Sequence, residues 1–162
     1  MQGELTQNEI DELLYAENIG HLGGYITGRS YILPINYAYD GEYIYGCSLD
    51  GVKIQMLRTN PEICFQVEQI LDGANWKSVL VWGTYQELHG EEAAQALQLI
   101  TRYLTMQIAS GNALHEIKAK RPDNTQPKII IYRIHINEMS GRFEKQDREI
   151  FFHLTVERYP LP

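Results

Sequence analysis

The residue types best suited to chemistry cluster in one stretch, IYGCSLDGVK from Ile44 to Lys53. Cys47 and Ser48 offer a thiol and a hydroxyl, Gly51 has no Cβ, and Lys53 brings a positive charge two residues later. Leu49-Asp50-Gly51 reads as a turn that opens a short helix. Lys53 then falls in the first helical turn, where backbone N–H groups lack partners and the macrodipole is positive. A lysine there is unfavourable by about 0.3–1 kcal/mol at an exposed site. A bound anion reverses that sign, since the lysine and the N–H groups both point at it and glycine permits close approach. A solvated lysine after an ordinary turn glycine is the competing reading, and this fragment alone leaves both open.

Other chemistries find less support. His21, His89, His115, His135 and His153 are scattered and do not fall at ligand spacing with cysteines or carboxylates, so no metal is expected. There is no Gly-x-Ser-x-Gly elbow and no evident nucleophile-and-base pair. Glu91 and Glu92 fit the positive start of a helix rather than an acid–base couple. Cys47 also suits plain packing, as a small apolar side chain.

The elements that position this stretch follow from periodicity. Thr6-Gln7-Asn8-Glu9 has capping-box spacing, Ile10, Leu13 and Leu14 form the apolar stripe of a first helix, and Gly20 is expected to end it. A strand over 21–27 follows, with Gly23-Gly24 marking a bulge or close packing. From Tyr31 to Tyr39 the odd positions share one face of a second strand. Asp40-Gly41 then predicts a type I′ hairpin into a third. Asn60-Pro61 stops the short helix after Gly51. Strands follow over 62–70 and 76–88, the second apolar enough to suggest burial on both faces. Ala93, Leu97, Ile100, Leu104 and Ile108 predict one long helix over 91–109, with Tyr103 and Met106 beside the stripe as core or interface. A polar 110–127 segment reads as a loop or lid, 128–136 as the last strand. Sequential hairpins favour a mainly β, six-stranded antiparallel barrel with flanking helices.

At 162 residues, 44% of them hydrophobic, the chain suits one domain over 1–162, with an N-terminal helix within 1–18 and a C-terminal tail over 143–162. A net charge of −7 argues against nucleic acid as a partner. No apolar run approaches the roughly 20 residues of a membrane span, and the acidic N-terminus is unlike a signal peptide. Two cysteines, Cys47 and Cys64, read as reduced thiols of a cytoplasmic protein. Eleven tyrosines suit a pocket wall or a subunit interface.

Four motifs then carry a family likeness: PINY at Pro34–Tyr37, IYGCSLDGVK, NPEICFQV at Asn60–Val67 and WKSVLVWG at Trp76–Gly83, with IHINEMSGR at Ile134–Arg142 matching more loosely. In order and spacing they resemble the pyridoxamine 5′-phosphate oxidase-like, FMN-binding split-barrel proteins, and most closely the branch with the 5-nitroimidazole resistance proteins. The resemblance implies a homodimer with FMN at the subunit interface and a small organic molecule oxidised or reduced through flavin N5. Leu33, Pro34, Ile35 and Asn36 would line the flavin ring, with the amides of Ile35 and Asn36 tuning it. Cys47 and Ser48 would lie beside ring and ribityl chain, Lys53 would hold the phosphate, and Ser78 would reach the phosphate or the flavin edge. Two positions depart from the pattern: Cys47 stands where the resistance branch usually has histidine, and Val52 where the true oxidases have arginine. The C-terminal arginine pattern of the true oxidases is not recognisable over 151–162. The resemblance therefore implies an FMN-dependent oxidoreductase other than a pyridoxamine phosphate oxidase. A non-catalytic flavin or haem carrier or sensor is the alternative.

Overall fold

The structure, a computed structural model, describes residues 1–107 and 128–146, the side chains of 105–107 excepted. The expected 110–127 loop, Ile108, the Met106 side chain and all of the expected tail beyond 146 lie outside the described residues. The chain order is β1 (Gln2–Glu4), α1 (Gln7–Ala16), β2 (Ile19–Ile26), β3 (Arg29–Asn36), β4 (Ala38–Tyr39), β5 (Tyr43–Leu49), α2 (Val52–Thr59), β6 (Glu62–Asp72), β7 (Asn75–Glu87), α3 (Gly90–Gln107) and β8 (Ile129–Glu144).

All pairings are antiparallel, in one 8-stranded sheet ordered β3-β2-β6-β7-β8-β5-β4, with β1 on β8. The mainly β class with flanking helices is as expected, but there are eight strands rather than six. One addition is β1. The other comes from a break in the expected 31–39 strand at Tyr37, which divides it into β3 and β4. These two pieces lie at opposite ends of the sheet order, so the chain itself bridges the sheet's edges at Tyr37. A covalent seam joins the barrel there, where a continuous ladder would otherwise be needed. Tyr37 holds the seam through N–H to the Asn18 carbonyl (3.0 Å) and Oη to the Leu14 carbonyl (2.8 Å).

Two cores follow from strand alternation. Inward-facing Leu22, Ile35, Ile44, Phe65, Val67, Val79, Val81, Tyr132 and Ile134 fill the barrel, with Leu13 and Leu14 of α1 and Ile54 and Leu57 of α2 packed on them. On the outer face of β4, β5 and β8, Ala96, Ile100 and Leu104 of α3 cover Ala38 and Ile131. Leu97, expected in that stripe, is instead 44% exposed, because α3 turns its Ala93–Ala96–Ile100–Leu104 edge to the sheet. Tyr37, Tyr39 and Tyr132 are fully buried core residues rather than pocket or interface residues.

Several local expectations change. The capping box is present, with Glu9 N–H to Thr6 Oγ1 (3.4 Å) and Thr6 N–H to Glu9 (2.8 Å), but α1 stops at Ala16 and Gly20 belongs to β2. Asp40-Gly41 does not form a type I′ turn. Only Gly41 has positive φ (101°), and Asp40 Oδ1 accepts from Glu42 N–H (2.9 Å) and Tyr43 N–H (2.7 Å), closing a three-residue loop. The two-residue turn with positive φ at both centres is Thr27 (48°) and Gly28 (79°), which joins β2 to β3. Gly23 and Gly24 serve close packing: a Cβ would lie 2.5 Å from Cys64 Sγ and 2.6 Å from Met56 Cε. Strand β7 is not buried on both faces. Val79, Val81 and Tyr85 point inward, while Trp82 on the other face is 41% exposed. Strand β8 runs on to Glu144, so residues 143 and 144 are sheet rather than tail. Among the described residues no helix is long and apolar enough to cross a membrane.

Candidate functional site

The seam brings β3 and β5, from different ends of the sheet order, to one cavity of about 210 Å³. Pro34, Ile35 and Asn36 enter from the end of β3, and Cys47, Ser48 and Leu49 from the end of β5. Lys53 comes from the first turn of α2, Ile100 and Leu104 from α3, and Ile129 from the start of β8. Six of the eight residues expected at a site therefore line one cavity.

Leu33 and Ser78 do not line it. Leu33 lies farther along β3 toward the hairpin, opposite Leu22. Ser78 pairs with Arg142 of β8, whereas Ser48 pairs with Ile130, so the two serines are separated by about 40 Å of strand at roughly 3.3 Å per residue. The Ser78 hydroxyl accepts instead from Gln66 Nε2 (3.2 Å).

Backbone geometry refines the strand's contribution. A two-residue turn makes Ile26 and Arg29 a hydrogen-bonded pair. Alternation along the ladder then spends the Ile35 amide on Gly20 and turns those of positions 34 and 36 to the free edge. Pro34 has no N–H to offer, so of the two amides expected to face a ligand only that of Asn36 points to the free edge. Pro34 therefore loses no ladder bond, as edge-strand prolines require.

The electrostatics centre on Lys53. It is half-buried, and burial holds its ammonium below the ordinary lysine range, with Cys47 opposing. It forms no hydrogen bond or ion pair with the described residues. The Gly51 cap of α2 is extended and supplies no side-chain bond to the helix start. An unpartnered cation beside uncapped N–H groups, facing a cavity, is a donor set for an anion. Burial pushes the Cys47 thiol up, with Lys53 opposing, so Cys47 stays neutral near pH 7 and offers neither a base nor a ready nucleophile. Ser48 Oγ donates to the Leu49 carbonyl (3.2 Å).

Sequence reasoning missed the apolar wall of Ile100, Leu104 and Ile129, and an ion network behind the turn. Arg58 Nε and Nη2 bind Glu87 at 2.8 and 2.9 Å, and its Nη1 lies 3.2 Å from both Asp50 carboxylate oxygens. The α3 stripe signalled the first. Nothing local signals a set spanning Asp50, Arg58 and Glu87.

Comparisons with known proteins agree with this architecture. The sequence pattern described as pyridoxamine 5′-phosphate oxidase matches residues 6–143. A FAD-binding protein of Mesorhizobium loti is 27% identical, with a TM-score of 0.68 over 90% of this chain and 99% of that one. A candidate 5-nitroimidazole antibiotic resistance protein of Bacteroides thetaiotaomicron shares the fold at 17% identity, with a TM-score of 0.66 over 88% and 87%. An uncharacterized protein of Rhizobium meliloti is 34% identical over 84 residues, 52% of this chain; the match spans little more than half of that relative's length, 56%.

Proposed function

Since the chain belongs to the pyridoxamine 5′-phosphate oxidase family, we propose that it binds FMN at the seam and serves as a flavin-dependent oxidoreductase for a small organic molecule. The observation that carries the proposal is Lys53, a half-buried cation without an acidic partner among the described residues, at an uncapped helix start and in one cavity with Pro34, Ile35 and Asn36. These donors fit a phosphate monoester. Lys53 and the first N–H groups of α2 would hold it, Ser48 and Cys47 would lie along the polyol, and Asn36 N–H and Pro34 would border the ring. Bound flavin supplies electron and hydride exchange at N5, while the protein contributes binding, orientation and water exclusion.

A cavity of about 210 Å³ is smaller than the ~300–1,000 Å³ that encloses a drug-sized ligand, so it takes only part of a flavin. The remainder fits a homodimer interface. Ile32, Gly23, Cys64 and Trp82 form one cross-strand row over β3, β2, β6 and β7. No described helix covers this row, and Ile32 is 74% exposed. In the next row Pro34 of the cavity neighbours His21, Gln66 and Leu80. A second copy on this face would extend the site, and it is the route by which Ser78 could contribute. Free Cys47 and Cys64 suit a reducing compartment such as the cytoplasm. Pyridoxamine phosphate is not the proposed substrate, because the C-terminal arginine pattern that would hold its phosphate is not recognisable in the sequence over 151–162.

The test is titration of flavin-free protein with FMN, FAD and riboflavin, followed by anaerobic NADH or NADPH and then nitroaromatic or quinone acceptors. FMN should bind more tightly than riboflavin, and the reduced protein should turn over. Equal affinities for FMN and riboflavin overturn the phosphate site. The flavin-carrier reading has its own support, since Cys47 and Lys53 are the only titratable side chains among the described residues that line the cavity. Tight FMN binding without turnover selects it.

A further inference from the structure

Asp50 stands immediately before the Gly51 cap, where a free carboxylate would compete with a ligand phosphate for the N–H groups of α2. The structure turns it elsewhere. Its carboxylate accepts from Arg58 Nη1 at 3.2 Å and from Gln55 Nε2 at 3.2 Å, while its own N–H donates to the Lys128 carbonyl at 3.1 Å. At about 100° per residue, Gln55 and Arg58 stand roughly 200° and 140° around α2 from Lys53. Asp50 is thus held on the flank away from the lysine. Arg58 is itself fixed from β7 by two parallel bonds to Glu87, which in turn accepts from Tyr85 Oη at 3.3 Å.

We propose that Arg58 is a positioning residue for the anion site: it draws the Asp50 carboxylate off the start of α2 and neutralises it, so that an incoming flavin phosphate meets Lys53 and free N–H groups. The proposal rests on the flavin-phosphate reading above. A neutral residue at 58 releases a negative charge one residue from the cap. A neutral residue at 50 removes the competitor altogether, whether Arg58 is present or not.

Three variants test this, Arg58→Met, Asp50→Asn and the double substitution. Equilibrium FMN binding would be followed by flavin fluorescence, with inorganic phosphate as competitor, riboflavin as the phosphate-free control and melting curves for integrity. Arg58→Met should weaken FMN about tenfold, the effect of ~1.4 kcal/mol, and leave riboflavin unchanged. The double variant should return to within about twofold of the unmodified protein, and Asp50→Asn alone should bind FMN at least as tightly. A double variant as weak as Arg58→Met overturns the proposal, because Arg58 then acts only by tying α2 to β7. Should Arg58→Met not fold, Asp50→Asn decides: FMN binding at least as tight as in the unmodified protein supports the proposal and weaker binding overturns it. Unmodified protein that binds FMN no better than riboflavin brings down the flavin-phosphate reading and the proposal together. That pattern differs from a failed rescue, in which the FMN preference of the unmodified protein persists.

Discussion

Replacing Lys53 by Met removes the charge and keeps most of the aliphatic stem, so packing against the cavity is largely retained. Two effects of opposite sign follow. In flavin-free protein the ammonium is half-buried without a partner among the described residues, and burial depresses its pKa. A base with a lowered folded-state pKa binds its proton less well folded than unfolded, so its charge destabilises the fold below that pKa. The penalty fades as pH rises toward the ordinary lysine value of about 10.4. Lys53→Met should therefore raise the flavin-free melting temperature at neutral pH, with the gain shrinking at alkaline pH. With FMN the sign reverses. A charge-assisted contact to phosphate is worth about 1.5–3 kcal/mol, so the variant should bind FMN about 10- to 150-fold more weakly. Riboflavin, lacking the phosphate, should lose little. Differential scanning calorimetry and flavin fluorescence titration on the same preparations measure both. If stability falls, or if FMN and riboflavin weaken equally, Lys53 is a structural residue and the anion site is refuted.

The other predictions concern the cavity wall, the barrel and the uncovered face. Burial raises the Cys47 thiol, so alkylation should be slow at pH 8 against a free cysteine with pKa about 8.5 and accelerate only at higher pH. Lys53→Met should slow it further by removing the opposing charge, and rates equal to a free thiol would contradict this. Thr27 is a β-branched residue at φ 48°, so Thr27→Asn should stabilise by about 0.5–1 kcal/mol, read as a higher urea midpoint, and a lower midpoint would be against it. Tyr132 Oη is buried without a hydrogen-bond partner among the described residues, so Tyr132→Phe should be neutral or stabilising by up to about 1 kcal/mol; a clear loss of stability would reveal a hidden partner such as a buried water. Ile32→Glu puts a charge at the β3 end of the exposed row, on its most exposed apolar side chain, and should give monomers by sedimentation with weaker FMN binding; a dimer at unchanged affinity would move the interface elsewhere.

Much of this architecture is legible because its signals are local. Capping-box spacing places α1, odd-position alternation places the Ile35 face, and the glycine before Lys53 starts α2. Whatever depends on distant segments is not legible. A continuous alternating pattern from 31 to 39 conceals the break at Tyr37, because residues on either side keep the same period while joining different partners. Hairpin chemistry misleads in a related way. Asp-Gly has the turn composition, yet the Asp40 carboxylate closes the loop itself, and the positive-φ pair falls at Thr27-Gly28. Of the residues expected to line a ring, alternation separates Asn36, whose amide faces the free edge, from Ile35, whose amide is spent in the ladder.

The seam also explains why a site forms where it does. A closed ladder leaves no free amides, and an open edge risks pairing with another chain. Here the barrel is joined by its own backbone at Tyr37, so β3 keeps an open edge beside the end of β5. Pro34 blunts that edge without losing a ladder bond, and α3 lays Ile100 and Leu104 across the opening. What remains is a narrow, mostly apolar slot with one free strand amide on one side and the start of α2 on the other. Such a slot suits a planar apolar ring that ends in an anion. On the proposed reading, charge recognition would come from the start of α2 and ring recognition from the end of β3, two separate elements that only the seam brings together.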